Sequence, residues 1–345
     1  MFIRITIFFM ILAMLAQPAV CEDVQSPQWR VFRYTMAGRV RLLLFWVGRE
    51  GVGGGTIALL QNKGSDGQIT DSVEVLFGSN PKRVPGKINR WGYGRESAQW
   101  KDGASPSEGP TLASSIFEGF MRHSSEESLG EVRSSASKDQ AEETFWYDAI
   151  LSRVTPEQAS STVHIFAEKK DFDYTQPAAV ECAYQRRLKA GPPDRSRQLK
   201  RGEFSYPAPY GFLTATKTLV GDISSQLNRK SPKWSDYRGG LTYLYNAKPY
   251  RLDVADLELH REFTAPGWKL KDVIEADFEI TNLKTKEEHS FTLWFPASGP
   301  LQNVPVKIVD KPRWWLRVEL TLDPAAANGG SLQNSGAMPQ CSEAQ

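Results

Sequence analysis

Five segments in the stretch 256–323 place apolar residues at every second position: Asp256-Leu-Glu-Leu-His-Arg-Glu-Phe263, Ile274-Glu-Ala-Asp-Phe-Glu-Ile-Thr281, Ser290-Phe-Thr-Leu-Trp-Phe295, Val304-Pro-Val-Lys-Ile-Val309 and Trp314-Trp-Leu-Arg-Val-Glu-Leu-Thr-Leu322. A period of two puts the apolar set on one face of a pleated strand and the polar set on the other. The connecting segments are Thr264-Ala-Pro-Gly267, Asn282-Leu-Lys-Thr-Lys286, Pro296-Ala-Ser-Gly-Pro300 and Asp310-Lys-Pro312. They suit hairpin turns and are too short for crossover helices, so the five segments are expected to be antiparallel neighbours with one buried and one wet face.

The wet face of the first two segments is acidic. Asp256, Glu258, His260 and Glu262 lie on one strand, and Glu275, Asp277 and Glu279 on the next. Like charges facing one another across a sheet are destabilising unless something neutralises them, which marks this face as a candidate site for a cation or a basic partner. The later segments add Trp294, Trp315 and Arg317 to the same face.

Upstream, Gln28 to Phe77 also reads as strand, with an almost continuous apolar run from Val40 to Val47. Gly51-Val-Gly53 after a strand invites a dinucleotide-binding reading, but the third glycine of that fingerprint falls at Thr56 and no helix-length segment follows. A glycine-rich hairpin or bulge is the alternative. Gly78 to Trp100 is rich in Gly, Pro, Arg and aromatics and reads as a loop, as does Lys101 to Ser115. There Trp91 and Trp100, beside Lys87, Arg90 and Arg95, are either a stacking platform for a sugar or acidic ligand or aromatics folded over a sheet.

Ser124 to Glu143 reads as a solvated helix, and Phe145–Val154 with Ser161–Ala167 as a hairpin. Helices are expected over Pro177–Lys189 and Tyr210–Asn228. Between them Arg186, Arg187, Lys189, Arg195, Arg197, Lys200 and Arg201 form a basic stretch, either a solvated loop or a contact for an anionic partner.

The N-terminus, Met-Phe-Ile-Arg4 followed by an apolar run from Ile5 to Leu15 and small residues up to Cys21, reads as a cleaved export signal. Lipid anchoring at Cys21 is the alternative, with Pro18 and Val20 as poor neighbours for that processing. Cleavage removes one of the 42 basic residues and no acid, leaving 41 against 40, a balance that argues against nucleic-acid binding. No stretch after the signal has the length and hydrophobicity of a spanning helix. The two remaining cysteines, Cys182 and Cys341, are either bridged in an oxidising compartment or free. No histidine has zinc-motif or nucleophile-motif spacing, and neither a catalytic motif nor a cofactor motif is present.

Phe291-Thr-Leu-Trp-Phe-Pro-Ala-Ser-Gly-Pro-Leu-Gln-Asn-Val-Pro-Val-Lys-Ile308 and Arg313-Trp-Trp-Leu-Arg-Val-Glu-Leu320 together resemble the C-terminal end of a family of exported bacterial β-rich proteins of unknown function. The resemblance implies an envelope location and a curved antiparallel sheet or half-barrel with an apolar concavity, in the manner of lipoprotein carriers.

These readings combine into a mainly β (α+β) protein of antiparallel curved sheet or half-barrel form with a few covering helices. Its parts are a signal at 1–21, a β-rich region at 22–170, a helical and basic connector at 171–239, a β meander at 240–323 and a disordered tail at 324–345. The expected function is non-catalytic binding of an apolar or lipid-like envelope ligand, periplasmic or extracellular, without a cofactor. The alternatives are a secreted carbohydrate-active hydrolase and a structural or assembly protein that docks an envelope protein.

Overall fold

The structure, a computed structural model, describes residues 28–42, 45–63, 68–80, 82–84, 91–101, 111–122, 145–168, 177–188, 192–200, 202–204, 210–227, 237–265, 267–313, 316–326 and 331–334. The first half contributes strands β1 (Gln28–Leu42), β2 (Phe45–Lys63), β3 (Ile69–Ser79), β4 (Trp91–Lys101), β5 (Thr111–Arg122), β6 (Phe145–Val154), β7 (Ala159–Glu168) and β8 (Arg195–Leu199). Helix α1 (Pro177–Leu188) precedes β8, and α2 (Phe212–Leu227) follows it. The second half contributes β9 (Gly240–Tyr245), β10 (Lys248–Ala265), β11 (Trp268–Asn282), β12 (Glu288–Pro296), β13 (Lys307–Arg313), β14 (Leu316–Leu322) and β15 (Ser331–Asn334).

All of these strands belong to one antiparallel sheet, in the order β8-β7-β6-β5-β4-β3-β2-β1-β14-β13-β12-β11-β10-β9, with β15 joined to β1. Two meanders are therefore stitched together by the β1–β14 ladder, which runs from Tyr34 opposite Leu322 to Val40 opposite Leu316. The backbone path is open at β8 and β9, yet side chains from its two ends meet. Val154, Ala159 and Leu199 pack with Leu244 and Ala247, the Phe117 and Tyr245 rings lie 5.3 Å apart, and Ser161 Oγ donates to Asn246 Oδ1 at 3.1 Å. The sheet thus curves round on itself and is completed by side-chain packing. At the β9 edge, Tyr210 takes up the free backbone groups, its carbonyl accepting the Leu244 N–H at 2.7 Å, which shields that edge from a further strand.

The apolar face of the C-terminal meander points inward. Leu252, Val254, Ile274, Ala276, Phe278, Leu293 and Phe295 are buried together with Ala215, Leu219, Val220 and Ile223 of α2. The expected concavity is therefore occupied by the protein's own helix. Polar groups hold α2 at intervals along its length. The Glu96 carboxylate accepts the Leu213 and Thr214 backbone N–H groups at 2.9 and 3.2 Å and the Ser115 hydroxyl at 3.0 Å. Lys217 Nζ lies 2.9 Å from Asp71 Oδ1, and Ser224 Oγ donates to Asn303 Oδ1 at 2.5 Å. Helix α1 covers the opposite face, where Val180, Ala183 and Tyr184 pack on Trp91, Tyr93, Phe120 and Tyr147.

Several expectations are corrected. The segment read as a loop up to Trp100 contains β4: its glycines and aromatics mask a period of two in which Trp91 and Tyr93 face α1 while Gly94, Glu96 and Ala98 face the interior. The Gly51–Gly55 run lies inside β2 between β1 and β3, with Gly51 at φ 63°, and a Cβ at Gly55 would collide with the Leu76 carbonyl. Val304 and Val306 precede β13 and are buried with Phe32, Tyr34, Leu320 and Leu322, where the Tyr34 hydroxyl donates to the Pro305 carbonyl at 2.7 Å. Part of the basic connector is strand β8, and part of the expected tail is β15, paired with Gln28–Val31. The helix read over 124–143 lies outside the described residues. Cys182 is disulfide-bonded; Cys21 and Cys341 lie outside the described residues.

Candidate functional site

The outer face of β10 to β13 carries the acidic set. In the β10–β11 ladder Asp253 stands opposite Glu279, Asp256 opposite Asp277, and Glu258 opposite Glu275, three acid pairs in succession. A bulge at Ala255 makes this register work, because Leu252 and Val254 point inward at even positions and Leu257 and Leu259 at odd ones. The bulge absorbs the change of phase and leaves Ala255 and Asp256 exposed.

Beside the bulge is an open groove of about 620 Å³, lined by the acidic Asp277, Glu279 and Glu288, by Thr292, and also by His289 and Lys311. Asp277 accepts the Thr292 hydroxyl at 2.5 Å, and Asp253 pairs with Arg251 at 2.8 Å. Next along the strands, His260 Nε2 lies 2.7 Å from Glu275 Oε2, and its Nδ1 lies 3.8 Å from Glu258 Oε1. In the groove lining, His289 Nε2 lies 2.8 Å from Asp310 Oδ1, and the Asp310 hydrogen bond holds the His289 imidazole above its ordinary pKa.

Across β12 the character of the face changes. Trp294 is only 8% exposed and lies under the Lys307 ammonium, 4.8 Å from the ring centroid. Arg317 lies 2.9 Å from the Glu319 carboxylate, which Arg39 also meets at 2.6 Å and Lys307 at 3.7 Å. Burial by itself would raise the Glu319 pKa, but the Arg39 hydrogen bond and the charges of Lys307, Arg317 and Arg39 outweigh it and hold the carboxyl below its ordinary range. Trp294 and Arg317 are thus engaged with their own sheet.

The remaining candidates are dispersed. Trp91 is 4% exposed beneath α1, with the Phe120 ring at 5.1 Å, whereas Trp100 lies 6.1 Å from Tyr210, near the start of α2. The two are nine residues apart on β4, an odd separation that puts them on opposite faces of the strand, so they do not form one stacking surface. Trp315 lies outside the described residues. The structure therefore brings Glu258, His260 and Glu275 together, sets Asp256 and Asp277 beside them, and leaves Trp91 and Trp100 elsewhere. It also exposes a role for Glu96 that the sequence reading missed. Its only signal is a lone carboxylate in phase with Gly94 and Ala98, a pattern masked by the glycines and aromatics of that stretch.

No family model matches the chain, and no curated protein does. Among solved structures, the chain is similar to a β-barrel-like protein of a domain of unknown function, DUF1849, from Brucella abortus. That likeness has 7% identity, covers 86% of this chain and 96% of the other, and has a TM-score of 0.39.

Proposed function

We propose that the protein is an exported, non-catalytic binding protein of the cell envelope that works from the outside of its sheet. The observation that carries this reading is the succession of three facing acid pairs on β10 and β11, continued by Glu288 beside an open groove. Such a face gains by receiving a surface of opposite charge, so the partner is an envelope protein or peptide presenting Lys and Arg. The signal-like N-terminus supports export, and the disulfide at Cys182 suits an oxidising compartment. An apolar ligand on the inner face would have to displace α2, whose side chains occupy the meander's apolar surface.

Titration with a labelled decalysine peptide tests this. Saturable binding that weakens as salt is raised, and that is lost when Asp277, Glu279 and Glu288 are changed together to Asn, Gln and Gln, is the expected result. Salt-insensitive binding, or binding unchanged in the triple variant, would remove the acidic face from consideration. Native mass spectrometry of protein isolated from its own envelope adds a second arm. A stoichiometric co-purifying lipid would move the site to the interior.

A further inference from the structure

We propose that Glu258, His260 and Glu275 form a binding site for a divalent transition-metal cation of the zinc class. The three side chains offer one imidazole nitrogen and two carboxylate oxygens, all within 4.8 Å of one another. All three stand on the β10–β11 ladder, with Glu258 directly opposite Glu275 and His260 two residues along the same face. Their positions are therefore set by two paired strands and not by a loop.

The donor chemistry selects the class of ion. Carboxylates alone suit calcium or magnesium, whereas an imidazole joined to carboxylates suits zinc and its neighbours. A cation held at about 2.0–2.2 Å by nitrogen and oxygen spaces its donors roughly 3.3 Å apart. His260 Nε2 and Glu275 Oε2 are at 2.7 Å, so a cation replacing the proton they share needs only a small separation of the two groups. Glu258, with 68% of its side chain exposed, has the freedom to swing in from the Nδ1 side and supply the third donor. Water would complete the coordination.

Charge balance points the same way. Six carboxylates occupy this face, from Asp253, Asp256, Glu258, Glu275, Asp277 and Glu279. Arg251 is engaged with Asp253, and Arg261 with Asp272 at 2.7 Å, so neither answers the Glu258–Glu275 pair. Beyond His260, Glu262 and Lys271 face each other, bringing no net charge. A divalent ion would cancel the repulsion between Glu258 and Glu275 without recruiting any other residue.

The test is titration of the full chain with Zn²⁺, read by calorimetry and thermal shift, and with Co²⁺, read by its visible absorption. One equivalent is expected to bind and raise the melting temperature, and Co²⁺ is expected to give a band characteristic of nitrogen and oxygen donors. His260→Gln and Glu275→Gln should each weaken binding at least tenfold, while Asp256→Asn should not. Both lost residues are part-exposed on the outer face, so circular dichroism of the apo variants should match the parent. Absence of one-equivalent binding at millimolar Zn²⁺, survival of binding in His260→Gln, or equal affinity for Ca²⁺ would overturn the proposal. Decalysine binding is read through Asp277, Glu279 and Glu288, so its failure and the failure of the metal site are separate outcomes.

Discussion

Glu96 and Glu319 are both buried glutamates, at 1% and 7% exposure, and their surroundings drive them in opposite directions. Burial raises the Glu96 pKa, and the hydrogen bonds it accepts offset this only in part, because its partners are dipoles at a helix N-terminus and a hydroxyl. Glu319 instead has three full cations around it, and their sum exceeds its desolvation. The linkage sign follows from the depressed folded-state value. Glu319 contributes stability above its unfolded pKa, near 4.5, and that contribution is lost as pH falls through the lower folded value. Glu319→Gln should therefore cost about 1–3 kcal/mol at neutral pH, and the gap from the parent should close on acidification below that range. Urea denaturation at a series of pH values measures both. A constant gap across the acid range would show that the cations do not set this carboxyl.

Helix α2 is the element on which the interior depends. Its apolar residues sit against β9 to β12, and its first turn rests on a carboxylate from β4, so it spans the space between the two meanders. Ile223 is fully buried in that contact. Ile223→Ala should lower stability by about 2–5 kcal/mol, combining lost apolar transfer with the cavity left behind. Chemical denaturation reads the loss, and a cost below 1 kcal/mol would mean that the helix is only loosely seated. The helix itself was legible in sequence, since Leu213, Leu219, Ile223 and Leu227 recur near helical spacing and the expected range 210–228 brackets the observed Phe212–Leu227. Its place was not legible. Periodicity says that one side is apolar and says nothing about which sheet face receives it.

At the scale of the molecule, the β1–β14 ladder makes the first strand of the N-terminal meander and the last strand of the C-terminal meander neighbours. The halves are thereby parts of one sheet, and α2 packs between them. Thermal unfolding should be a single cooperative transition, coincident by tryptophan fluorescence and far-ultraviolet circular dichroism, despite a chain of 345 residues. Two resolved transitions would show that the halves hold together only weakly. The spread of contacts also explains the limits of the sequence reading for the site. Glu258, His260 and Glu275 fall in alternating strands joined by a short turn, so their shared face followed from parity. The Glu319 cluster draws on Arg39, Lys307 and Arg317 from three strands, and nothing local connects Arg39 with the others.

By itself the sequence determined that the C-terminal meander is a run of antiparallel strands with alternating faces, because side-chain parity and short turns are local properties of the chain. It also determined the acidity of the wet face. Tertiary structure alone decided that the meander's apolar face would be filled by α2, that β1 would pair with β14, and that β4 would be a strand. Each of these depends on partners far away in the chain. For Trp91 and Glu96 the partners lie on α1 and α2: alternation along the strand sends residues five apart to opposite sides, and only packing shows what each side meets.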